Sequence, residues 1–133
     1  MDKINFGNIY NSPYSNVVDI FEKTVLEYEN QIAASYKENA MTYKQLNAKA
    51  NAVAELIIQY SSETNPIVGI MIDRSLNSLI AMLGVIKAGA AFLPLDGKQP
   101  LERVKYILDN SGAEILIKAT ENDIAVATED SGY

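Results

Sequence analysis

The sequence has 133 residues, of which 48% are hydrophobic and 21% are charged, in the range of soluble globular domains. Its net charge of −6 argues against a nucleic-acid surface, which needs clustered basic residues to displace counterions. Cysteine and histidine are both absent, so disulfides, thiolate nucleophiles, imidazole acid–base chemistry and the usual zinc sites are excluded. The chain has no apolar stretch of about 18 residues and no signal-peptide pattern at its start, so we expect a cytoplasmic protein without a membrane or nucleic-acid partner.

The N-terminal part of the chain predicts an irregular segment, a helix and a strand. Residues 1–16 are rich in Asn and Ser and predict an irregular lead-in. Apolar residues at helical spacing predict an amphipathic helix over residues 17–29. Residues 32–36 then predict a short strand, and residues 37–39 predict the turn that follows it.

A second helix is predicted by its start signal. Thr42 and Gln45 stand three residues apart, which is the spacing of a capping box. Met41 and Leu46 occupy the flanking positions of a hydrophobic staple. Together with the apolar stripe that follows, these residues predict a helix over residues 43–60.

The next segment predicts a strand, a helix and a glycine stop. Residues 67–72 are almost continuously apolar, as in a parallel strand covered on both faces. A helical stripe begins at Leu76, and Lys87 suits the negative C-terminal end of that helix. Gly89 can adopt the left-handed conformation that ends a helix.

The pattern then repeats. Residues 90–95 predict a strand, Pro100 suits the first position of a helix that ends at Gly112, and residues 115–117 predict another short strand. Strands that alternate with helices imply right-handed crossovers, so we predict an α/β fold with three layers, a mostly parallel sheet and flanking helices.

We therefore divide the chain into three parts. The lead-in ends at residue 16, the folded domain covers residues 17–118, and residues 119–133 form an acidic tail without a basic residue. Residues 124–128 could form an edge strand within that tail.

Two blocks resemble the first two core motifs of the adenylation domains of non-ribosomal peptide synthetases, in the right order. The first block is Met-Thr-Tyr-Lys-Gln-Leu at residues 41–46, and the second is Ile-Lys-Ala-Gly-Ala-Ala-Phe-Leu-Pro-Leu-Asp at residues 86–96. Residues 100–109 resemble the helix that follows the second motif in that family. The motif positions are Thr42, Tyr43, Gln45, Leu46, Lys87, Ala88, Gly89, Phe92, Pro94, Asp96, Pro100 and Arg103.

The departures from the family pattern are mild. Met41 replaces a leucine, Gln45 replaces a glutamate and Phe92 replaces a tyrosine. Glutamine still completes a capping box, and methionine still serves in a staple, so the expected fold is unchanged. The loss of a tyrosine hydroxyl at Phe92 could remove one hydrogen bond.

The resemblance implies a fold and an activity that the chain supplies only in part. Complete domains of this family activate amino acids with ATP and Mg²⁺, whereas this sequence resembles only the start of their N-terminal subdomain. The family's phosphate loop, ribose-binding aspartate, amino-acid pocket and catalytic lysine have no candidate here. We therefore expect a truncated adenylation domain that is inactive alone and has no catalytic, cofactor-binding or metal-binding residue of its own. The motif positions are expected to shape the fold.

Other candidate sites have simpler structural interpretations. The spacing from Gly84 to Gly89 resembles a phosphate loop, but alanines stand where Lys-Ser or Lys-Thr is required. Lys87 is better explained by its place at a helix end than as a catalytic lysine. Asp73 and Arg74 follow a buried strand, and we expect them to cap the next helix or to form a surface ion pair.

A further local pair is expected between Asp96 and Arg103, without a third group that would make it an acid–base site.

Three hypotheses for the role of the chain stay open at this point. In the first hypothesis the chain is half of a split enzyme that a second synthetase chain completes. In the second it is a non-catalytic binding module that kept the fold, and in the third it is a relic fragment. Apolar surface left without its cover also predicts a homo-oligomer, with a dimer as the simplest form.

Overall fold

The computed structural model describes residues 17–62 and 66–128. The predicted lead-in lies outside the described residues, as do the last five residues of the predicted tail. The chain divides into two compact units, Met1–Lys49 and Ala50–Tyr133, and the boundary falls inside a helix. Within the described ranges, no helix has both the length and the apolar character needed to cross a membrane.

The first unit contains a helix and a β-hairpin. Helix α1 (Val17–Tyr28) is followed by strands β1 (Ile32–Tyr36) and β2 (Asn39–Thr42), which pair antiparallel. Lys37 turns the chain between the two strands with a φ of 56°. The sequence pattern predicted α1, β1 and the turn, but it did not predict β2.

Helix α2 (Tyr43–Tyr60) begins in the first unit and ends in the second, within the predicted bounds. The second unit is an α/β structure. Its further elements are β3 (Ile67–Ile72), α3 (Leu76–Lys87), β4 (Ala91–Asp96), α4 (Leu101–Ser111), β5 (Ile115–Ala119) and β6 (Ile124–Thr128).

The sheet of the second unit is mostly parallel, as the alternating pattern predicted. The strand order is β4-β3-β5-β6, with β3 parallel to both of its neighbours and β6 antiparallel to β5. The chain moves from β3 to β4 in one direction and from β4 to β5 in the other. Right-handed crossovers in opposite directions place α3 and α4 on opposite faces, so the unit has three layers.

Both faces of the central strand β3 are covered. Toward α4, Leu95, Leu108 and Leu116 form an apolar cluster, and a Cβ built on Gly69 would lie 2.6 Å from Leu108 Cδ2. On the opposite face, the four side chains Val68, Ile70, Ile115 and Ile117 are all 0% exposed. The apolar run of β3 therefore predicted correctly that the middle of this strand is buried, whereas Ile72 at its end is 38% exposed.

The sheet continues past residue 118, where we placed the end of the domain. Ala119 ends β5, and β6 then pairs with β5 as the predicted edge strand. The connecting turn is held by Thr120, whose N–H donates to Asp123 O at 2.9 Å and whose hydroxyl accepts the N–H of Asn122 at 3.2 Å. A hydrogen-bonded turn therefore connects β5 to β6, which is the edge strand that the sequence allowed within the acidic tail.

Candidate functional site

The first motif forms a complete capping box at the start of α2. The Thr42 N–H donates to Gln45 Oε1 at 2.9 Å, and the Gln45 N–H donates to Thr42 Oγ1 at 3.1 Å. The N–H groups of Tyr43 and Lys44 donate to the carbonyls of Gln31 and Glu29, each at 3.0 Å. Free N–H groups at a helix start can bind a phosphate, but these already have acceptors within the protein.

The apolar members of the first motif are buried. Tyr43 is 2% exposed and Leu46 is 1% exposed. The ring of Tyr43 also lies 6.5 Å from that of Tyr28, in a tilted arrangement. This motif therefore fixes the entry into α2, and the backbone N–H groups of its residues 42–45 are bonded within the protein.

The second motif ends α3 at Gly89, as predicted. Gly89 has a φ of 75°, and its N–H donates to Ile86 O at 3.0 Å. The Ala90 N–H donates to Val85 O at 3.1 Å, which completes a Schellman motif around the C-cap residue Ala88. The helix stops at this glycine, whereas a phosphate loop would begin a helix there.

Strand β4 carries the remaining residues of the second motif. Phe92 is 38% exposed and Pro94 is exposed. Ala91 donates its N–H to Pro66 O on the β3 side at 3.0 Å, and alternate residues of a strand bond to opposite sides. The backbone nitrogen of Pro94 therefore lies on the outer edge of the sheet, where proline is tolerated.

The expected pair between Asp96 and Arg103 does not form. Asp96 Oδ1 instead accepts the N–H of Lys98 at 2.9 Å, because a short carboxylate after a strand satisfies its own turn. The Arg103 guanidinium lies 5.6 Å from the ring centroid of Tyr106. Pro100 is also one position earlier than predicted, since it is the N-cap residue of α4.

A polar cluster lies at the carboxyl end of β3. Asp73 Oδ1 accepts the hydroxyls of Ser75 at 2.7 Å and of Ser78 at 3.1 Å. Ser75 is the N-cap of α3 and accepts the Ser78 N–H at 3.2 Å. The N-cap of α3 is therefore Ser75 and not, as we expected, Asp73, and the Asp73 carboxylate accepts the two serine hydroxyls. Neither serine was predicted. Their signal was present, because a serine directly before an apolar helical stripe marks a helix start.

This cluster lies at the topological switch point of the sheet, between β3 and β5, where open α/β sheets gather ligands. Asn77 Nδ2 donates to Thr120 O at 2.8 Å and so connects α3 to the β5–β6 turn. Among residues 17–62 and 66–128, no group of three or more acidic side chains could hold a metal ion. The polar atoms of the cluster bond to one another.

A sequence model of the AMP-binding enzyme family matches residues 21–132. The chain belongs to this family. One of the plipastatin synthase proteins of Bacillus subtilis is 38% identical over 89% of this chain, and gramicidin S synthase 2 of Brevibacillus brevis is 41% identical over 74% of it. The chain spans only 4% and 2% of these two synthases, so it is homologous to a small part of each.

Solved structures agree with this assignment. The N-terminal subdomain of Klebsiella oxytoca NpsA, in complex with 3-hydroxyanthranilyl-AMSN, matches 77% of this chain with a TM-score of 0.68 and 28% identity. The match covers 26% of that chain. The peptide synthetase FmoA3 matches 80% of this chain with a TM-score of 0.74 and 23% identity, which supports the fold alone. The predicted family and α/β fold are therefore confirmed.

Proposed function

We propose that this chain is a scaffold segment of an amino-acid-activating adenylation domain and that it supplies no reacting group itself. The observation that carries this proposal is that the polar and glycine residues at four of the family-motif positions form local structure. Thr42 and Gln45 cap α2, Gly89 ends α3, and Asp96 closes its own turn. A transition state of phosphoryl or adenylyl transfer needs fixed donors and cations that are free to meet it.

The starts of α2 and α3 do not fit the phosphates of ATP, which with Mg²⁺ is the cofactor of the complete family domain. The start of α2 has its N–H groups bonded to protein acceptors, and the start of α3 is capped by Ser75. These ends resemble well-capped structural helices more than phosphate sites. Any ATP site in which this chain takes part would therefore draw its phosphate ligands from other residues.

The partner we propose is the remainder of an adenylation domain, carried by a synthetase chain. The supporting observation is that the matched relatives are synthases in which this segment is a small part. In that arrangement the chain works in the cytoplasm and holds the remainder in its folded form.

Self-association is a second candidate, favoured by apolar side chains that are exposed in the isolated chain. Ile58 is 63% exposed and Leu26 is 79% exposed. A dimer would cover side chains of this kind when the remainder is absent. Sedimentation analysis tests this candidate, since a single monomeric species at high concentration contradicts it.

The test of the main proposal is reconstitution. The chain is co-expressed with the remaining residues of the matching adenylation domain of the plipastatin synthase, and amino-acid-dependent ATP–pyrophosphate exchange is measured. We expect exchange from the pair and none from either part alone. Exchange by the 133-residue chain alone would contradict the scaffold role, and so would full exchange by the remainder without it.

A further inference from the structure

Strand β4 is covered on only one of its two faces. Side chains alternate along a strand, so Leu95 lies toward α4, whereas Phe92 and Pro94 lie on the opposite face. Leu95 is 4% exposed and belongs to the apolar cluster with Val104 and Leu108. Phe92, in contrast, is 38% exposed.

The uncovered surface begins abruptly between β3 and β4. Val68 pairs with Phe92 and Ile70 pairs with Pro94 in the parallel register. Val68 and Ile70 are 0% exposed. Their partners Phe92 and Pro94 lie one strand spacing away, about 4.8 Å, and are exposed. Ile72, at the end of β3 on the same face, is 38% exposed. We call Ile72, Phe92 and Pro94 the β4 face.

The outer edge of β4 limits what can cover this face. Alternate residues direct their backbone groups outward, and Pro94 is one of them, so the middle of the edge has no N–H to donate. An added strand would lose a hydrogen bond there. A helix needs only the side chains of the face, and helices are what cover the faces of parallel sheets.

A second copy of the chain is the less favourable occupant. Each copy carries a net charge of −6, so two copies repel each other at low salt. The matched NpsA subdomain, in contrast, contains a segment like this one as only 26% of its chain, so most of that subdomain is available to pack beside it.

We infer that the β4 face is the surface on which the rest of an adenylation N-terminal subdomain packs, through an apolar helix face and not through an added strand. This inference rests on the proposed function and adds the place of contact. It applies equally whether the rest of the subdomain continues the same polypeptide or comes from a second one, because the contacting side chains are the same.

The chain contains no cysteine, so a single introduced thiol reports the exposure of one position. Phe92→Cys probes the β4 face, and Tyr106→Cys is the matched control, since Tyr106 is 59% exposed on α4. Each variant is labelled with a maleimide, alone and after co-expression with the remaining residues of the plipastatin synthase adenylation domain. Mass spectrometry of the peptide that contains the thiol gives the labelling rate, and far-UV circular dichroism verifies folding.

We expect labelling at position 92 to slow at least tenfold in the complex, while labelling at position 106 changes less than twofold. A second variant, Phe92→Lys, should weaken retention of the remainder at least tenfold, or about 1.4 kcal/mol. A complex that forms with position 92 still fully labelled overturns the inference and leaves the proposed function standing. If no complex forms, the result contradicts both the inference and the proposed function. Protection of position 92 in the isolated chain, growing with concentration, would assign the face to a second copy and overturn the inference.

Discussion

Replacing Gly84 with alanine is the most direct test of the packing in the second unit. Gly84 lies in the interior of α3, where replacing glycine by alanine in an isolated helix stabilises it by about 1 kcal/mol. A Cβ built on Gly84 would lie 2.5 Å from Val53 Cγ1, 2.6 Å from Val53 Cβ and 3.1 Å from the Ala50 carbonyl oxygen. The two effects have opposite signs, so the structure has to decide between them.

The steric clash should cost more free energy than the higher helix propensity of alanine contributes. Normal contacts between carbon atoms are about 3.5 to 4.0 Å, so the new methyl group overlaps Val53 by roughly 1 Å. Rotation about χ1 moves Val53 Cγ1 but not Val53 Cβ, and the Ala50 oxygen belongs to the backbone. The helices must therefore move apart, which costs about 1 to 3 kcal/mol in well-packed cores. Since side-chain rotation gives no relief, we take the upper end and expect a net loss of about 2 kcal/mol.

Urea unfolding followed by circular dichroism measures this loss for Gly84→Ala against wild type. Gly97→Ala is the control, because no heavy atom lies within 4 Å of its new Cβ, and its stability should change by less than about 0.5 kcal/mol. Val53→Ala should cost less in the Gly84→Ala background than in wild type, since it removes one of the two clashing carbons. Stabilisation by Gly84→Ala would show that helix propensity wins and that α2 and α3 are not in close contact.

Substitutions at three further positions test the helix ends, each by urea unfolding. Thr42→Ala should destabilise the chain by about 1 kcal/mol, because the Gln45 N–H loses its acceptor; an unchanged midpoint would misplace the start of α2. Gly89→Ala should cost about 1 kcal/mol through its φ of 75° alone, since its new Cβ meets nothing within 4 Å, and Gly89→Asn should recover part of that loss. Ser78→Ala should cost about 1 to 2 kcal/mol, because Ser78 is 4% exposed and bonds to Asp73; a neutral result would mean that water replaces the hydroxyl.

Elements with a local signal were predictable from the sequence. The capping box of Thr42 and Gln45 located the start of α2, and the left-handed Gly89 located the end of α3. Strand β3 was predicted at its observed bounds, since a short apolar run with helical patterns on both sides has few alternatives.

Features that depend on a distant partner or on competing local bonds were missed. Strand β2 has four residues and exists through its pairing with β1, and its turn uses Lys37 at positive φ where a glycine or asparagine signal would be usual. The pair between Asp96 and Arg103 failed because the carboxylate found the nearer Lys98 N–H. The exposure of the β4 face could not be predicted from the sequence either, because the pattern of apolar residues in β4 resembles that of a buried strand.

From the scaffold role we make a last prediction, about the complex of the chain with the remainder of the adenylation domain. If Gly89 acts only by ending α3, then Gly89→Ala should lower the fraction of chains that assemble with the remainder. The assembled fraction should keep its KM for the amino acid, because a change in KM at unchanged kcat requires lost contacts with the substrate. Exchange kinetics on pairs purified to equal occupancy separate the two quantities. A KM raised several-fold at full occupancy would place the end of α3 in the substrate site and refute a purely structural role for the second motif.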